Sequence, residues 1–114
     1  MLKIYHNPRC SKSRETLQLL KDRGIEPEII EYLKTPPSAQ ELEDILQKLG
    51  LEPRDLIRKK ETAYQDSGLD DKSLDRQALI NGMVEHPVLI ERPIVVANDK
   101  AAIGRPPEAV LAIL

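Results

Sequence analysis

Apolar positions change rhythm several times along this chain, and each change predicts an element. Leu2 to Tyr5 is a short apolar run with Ile4 and Tyr5, suited to a buried strand, and His6, Asn7 and Pro8 break it. From Cys10 onward Thr16, Leu17, Leu19 and Leu20 recur at helical spacing, and Gly24 follows Lys21 and Arg23 as a C-cap. Glu28 to Leu33 predicts a second strand. A β-α-β unit of about thirty residues implies a right-handed crossover and parallel strands.

Beyond it comes a helical middle, interrupted by a loop. Ser38 caps a helix over Ala39 to Leu49, with Glu41 at the capping-box position and Gly50 as its stop. Pro53 opens a short helix through Arg58 and Lys59. Residues 61–72 read as loop, and Ser73 or Leu74 to Glu85 as an amphipathic helix ending before Pro87. The segment RPIVVANDKAAIG then alternates as two strands around an Asn98-Asp99 turn, and Glu108 to Leu114 closes the chain as a helix. The order β-α-β, helices, β-β-α is that of an α/β, thioredoxin-like fold with a central mixed four-stranded sheet. We expect one domain over 1–114 with a helical insertion at about 38–85.

Composition narrows the function. Charged residues make up 32% and the net charge is -2, without the basic excess of a general nucleic-acid binder. Trp and Phe are absent and only Tyr5, Tyr32 and Tyr64 are aromatic, so stacking platforms for single strands are scarce. No apolar run approaches a membrane span and no signal-like start is present, so the expected setting is cytoplasmic, without membrane or nucleic-acid partners and monomeric. A single cysteine permits no internal disulfide, so any redox cycle needs an outside thiol. His6, His86 and Cys10 have no ligand spacing, so no metal is expected.

That cysteine carries the candidate chemistry. Cys10 stands where strand gives way to helix, and there free N–H groups and the positive end of the macrodipole favour thiolate over thiol. Arg9, Lys12 and Arg14 add positive charge nearby. Ser13, in the spacing Cys10-x-x-Ser13, either donates its hydroxyl to the sulfur or satisfies helix backbone groups. His6 either assists the thiolate from the strand end or is an ordinary satisfied histidine. Arg92 precedes Pro93, where a rigid turn, with a cis peptide as one form of it, best explains the proline. Arg105 ends the last strand, where a guanidinium could hold a tetrahedral oxyanion with two parallel hydrogen bonds.

The segments HNPRCSKSR, LIRKK, ERPIVV and GRPPE, in that order, resemble the glutaredoxin-coupled arsenate reductase family over nearly the entire chain. The resemblance implies that Cys10 is the nucleophile, His6 its helper and Ser13 the nearby hydroxyl. It also implies that Arg58, Arg92 and Arg105 bind the oxyanion and that Pro93 is cis. Arg58 is singled out by the resemblance alone. The implied activity is reduction of arsenate, or a similar oxyanion, to arsenite through an arseno-cysteine, with no bound cofactor, glutathione as co-substrate and glutaredoxin as partner. Ser11 and Lys12 stand where relatives often have Gly-Thr. Two other readings share the fold: a glutathione-dependent thiol oxidoreductase of another substrate, and an Spx-like regulator that binds RNA polymerase.

Overall fold

The computed structural model describes residues 2–114. The chain divides into two compact units, one made of the residues up to Thr35 with Arg92–Leu114, the other of Pro36–Glu91. The expected insertion at 38–85 falls within the second.

The first unit holds the sheet. Strands β1 (Lys3–His6) and β2 (Glu28–Glu31) are parallel and joined by helix α1 (Ser11–Asp22). The hairpin strands β3 (Ile94–Ala97) and β4 (Lys100–Ile103) complete a mixed sheet of order β2-β1-β3-β4, with β3 antiparallel to β1. The hairpin turn needs left-handed backbone at both central residues, and Asn98 (φ 55°) and Asp99 (φ 60°) are among the few types that tolerate it. Ile4, Leu20, Val95, Ala97, Val110 and Ile113 form the buried core. The last of these belong to Pro107–Ile113, a 3-10 helix where an α-helix was expected.

The second unit is helical. Helix α2 (Ala39–Leu49) carries the predicted capping box, with the Ser38 hydroxyl accepting from Glu41 N–H at 3.1 Å and the Glu41 carboxylate accepting from Ser38 N–H at 2.9 Å. Gly50 ends it at φ 70°. Helix α3 stops at Leu56 (Pro53–Leu56) and does not continue to Lys59. Ile57 pairs with Ile90 as an isolated bridge, and the flanking bonds Arg58 N–H to Leu89 O (2.7 Å) and Glu91 N–H to Leu56 O (3.0 Å) pull the chain into extended form. The expected loop contains helix α4 (Thr62–Asp66). Helix α5 (Arg76–Glu85) starts later than predicted, because Ser73 is held by Asp71 and Asp75 is the residue that caps Ala78 N–H, at 2.8 Å. Among the described residues no helix is long and apolar enough to cross a membrane.

Candidate active site

Cys10 lies between β1 and α1, and the local sequence fixes its place. The turn Asn7-Pro8-Arg9-Cys10 is closed by Cys10 N–H to Asn7 O at 3.0 Å, and the Asn7 side chain accepts from Arg9 N–H at 3.0 Å. Arg14 straps the turn from the helix, donating to Pro8 O at 2.9 Å. Cys10 is the N-cap of α1, yet its side chain makes no conventional capping hydrogen bond.

Cys10 is 8% exposed, and four groups act on its sulfur. Burial pushes the Cys10 thiol up, but the Ser13 N–H, the Arg92 charge, the Lys12 N–H and the Arg105 guanidinium together hold it below the ordinary thiol value. Arg105 Nη1 stands 3.8 Å from Sγ and also donates to Arg92 O at 3.1 Å, which ties the two arginine segments together. The Arg92–Pro93 peptide is cis, and so is Arg105–Pro106, which the sequence did not suggest.

The Ser13 hydroxyl is engaged by the end of β1. It lies 2.6 Å from His6 Nδ1 and accepts from Asn7 N–H at 3.0 Å, while the residue serves the sulfur through its backbone N–H. His6 is 6% exposed, and burial lowers its pKa against the opposing influence of Glu31, its register partner on β2. With Asn7 N–H occupying a lone pair of Ser13, its hydroxyl proton is available to neutral His6 Nδ1. His6 thereby helps hold the strand end and the first turn of α1 in register.

Two features escaped the sequence reading. Thr16, fully buried, donates to Lys12 O at 2.8 Å. A Cβ on Gly104 would collide with Thr16 Oγ1 and meet Pro93 Cγ at 2.8 Å, so only glycine lets the end of β4 approach α1 closely enough to bring Arg105 to the sulfur. A glycine directly before a candidate arginine at a strand end is the signal that could have found it. Arg58 belongs to the helical unit, where it lies outside any helix and pairs with Glu61 at 2.6 Å. Cys10, His6, Ser13, Arg92, Pro93 and Arg105 all belong to the sheet unit. Among the described residues no group of three or more His, Cys, Asp or Glu side chains is placed to hold a metal.

Comparison with known proteins places this chain in a family. A family model described as ArsC family matches residues 5–113. The chain is 60% identical over 114 residues to the Escherichia coli K12 protein YfgD, covering 99% of this chain and 96% of that one. It is 54% identical over 114 residues to a Neisseria meningitidis protein named arsenate reductase, covering 99% of this chain and 97% of the relative. A solved structure titled arsenate reductase from Vibrio cholerae superposes with a TM-score of 0.96 at 56% identity, covering 99% of this chain and 97% of that chain. The architecture is therefore the thioredoxin-like one of arsenate reductases of this type, and the chain belongs to the ArsC family.

Proposed function

We propose that this protein reduces arsenate, or a closely similar tetrahedral oxyanion, with Cys10 as nucleophile and glutathione and glutaredoxin as electron donors. The observation that supports this best is a sulfur held below its ordinary pKa by two helix amides and two guanidiniums. The same cations that stabilise the thiolate offset its repulsion toward an incoming dianion.

In the proposed sequence the thiolate attacks arsenic and water leaves, giving an arsenic(V) thioester on Cys10. Glutathione displaces a second oxygen as water. A glutaredoxin thiolate then attacks the glutathione sulfur, and the electron pair of the As–S bond falls to arsenic, which becomes arsenic(III). The mixed disulfide of glutathione and glutaredoxin leaves, and hydrolysis frees arsenite and Cys10. Two electrons move, both from the outside thiols, as a chain with one cysteine requires.

The test is NADPH consumption coupled through glutathione reductase, glutathione and glutaredoxin. Arsenate-dependent turnover lost in Cys10→Ser supports the proposal. A wild-type rate no higher than that of the variant, across a broad arsenate range, removes arsenate as substrate and leaves the thiol oxidoreductase reading.

A further inference from the structure

All four strands end at the edge of the sheet where Cys10 lies. His6 and Glu31 are register partners at the ends of parallel β1 and β2, while antiparallel pairing brings Arg92, just before β3, and Arg105, just after β4, to the same edge. Since β1 is central, the two arginines stand on its β3–β4 side, and the end of β2 lies on the other. That other side holds a cleft of about 370 Å³ lined by His6, Asn7, Arg9, Glu31, Leu33 and Lys34. Its size lies within the range of small-molecule sites, about 300–1,000 Å³.

We propose that this cleft seats glutathione, an inference that rests on the thiol-dependent reading above. Glutathione at neutral pH carries two carboxylates and one ammonium, and the cleft offers the complement ion for ion: the cations of Arg9 and Lys34, and the carboxylate of Glu31. Glu31 and Lys34 pair with each other at 3.6 Å through exposed side chains, an interaction weak enough to be exchanged for a ligand's charges. The turn that puts Asn7 and Arg9 on the cleft ends on Cys10 itself, so a tripeptide anchored there has its cysteinyl thiol one β-turn from the reacting sulfur. Oxyanion and thiol co-substrate then approach from opposite sides of β1, and neither displaces the other.

A second cleft near the site, of about 520 Å³, has the wrong charge for this ligand. It is lined by Lys12, Glu15, Asp22 and Glu108 among others, three carboxylates against one cation that is already paired with Glu15 at 3.6 Å. An anionic tripeptide is repelled there.

The test uses Cys10→Ser protein and S-methylglutathione, which bind without reacting. Amide chemical-shift changes concentrated at residues 6–9 and 31–34, with affinity about threefold to tenfold weaker in the added variant Lys34→Glu, support the cleft. Changes centred on Lys12 and Glu108, or on Arg92 and Arg105, or no saturable change at all, overturn it. The Lys34 side chain is 80% exposed, so folding is not at stake, and the milder Lys34→Gln should give a smaller weakening in the same direction. In active enzyme, Lys34→Glu should raise the glutathione KM by the same factor and leave the arsenate KM unchanged, and an unchanged glutathione KM contradicts the assignment. Because the binding experiment involves no arsenate, an enzyme inactive on arsenate refutes the proposed substrate without deciding the cleft.

Discussion

Helix α2 begins with Ser38, whose hydroxyl accepts from the third amide of the helix, with Glu41 returning the bond. Helix α1 begins with Cys10, whose side chain makes no conventional cap and sits among amides and arginines that favour its anion. The first arrangement ties up the orphan N–H groups of a helix start for stability, and the second leaves them for chemistry. The two units differ in the same sense. Among the described residues the buried polar side chains are His6, Ser13 and Thr16, all in the sheet unit and all within seven positions of Cys10 along the chain. In the helical unit, by contrast, the polar interactions run along the surface, as with Arg76, Glu43 and Glu52. Buried polarity is costly unless satisfied, and here it is concentrated where a reactive group must be positioned.

The sharpest way to break the contrast is to give α1 an ordinary cap. Cys10→Ser should abolish turnover yet, in urea unfolding at a pH acidic enough to keep Cys10 protonated, leave the protein as stable as wild type or up to about 1 kcal/mol more stable, because serine is a preferred N-cap. A marked loss of stability would mean that the sulfur holds the fold and is not reserved for reaction. Next in size, Arg105→Lys keeps the charge but loses the planar fork, and arsenate kcat/KM should fall about tenfold to a hundredfold. Equal rates would show that charge alone suffices. Ser13→Ala removes the partner of His6 Nδ1 and of Asn7 N–H, and should cost about 1–3 kcal/mol, read from the unfolding midpoint. The smallest effect belongs to the ordinary cap: Ser38→Ala should cost about 1 kcal/mol and leave Cys10 reactivity untouched.

Signals carried by neighbouring residues were legible in the sequence. Ser38 with Glu41, Gly50, and the Asn98-Asp99 turn each specify their geometry through local hydrogen bonds or backbone preference, and the strand-turn-helix setting of Cys10 reads off the same way. What depends on partners distant in sequence did not. Ile57 and Arg58 leave the helix predicted for them because Ile90 pairs with Ile57 and Leu89 and Glu91 bond to Arg58 and Leu56 on either side. The Ser13 hydroxyl meets His6, only seven positions away, but across a strand-turn-helix junction whose geometry no local preference dictates. Gly104 gains its meaning from Thr16 and Pro93, far from it along the chain, and Gly82 likewise from Leu69, whose Cδ2 would lie 2.5 Å from an added Cβ. Arg58 entered through family resemblance, since nothing in its local sequence separates it from a surface charge.

The central claim is that folding holds the Cys10 thiol below its ordinary pKa, and alkylation by iodoacetamide as a function of pH tests it most directly. A thiol whose pKa is lowered by folding keeps its anion below the ordinary thiol range and loses it only as pH falls through the lowered value. The folded protein should therefore reach half-maximal reactivity at a pH below that of free cysteine, and the midpoint should rise to the free value when the protein is denatured. A folded-state midpoint at or above that of free cysteine would contradict the account.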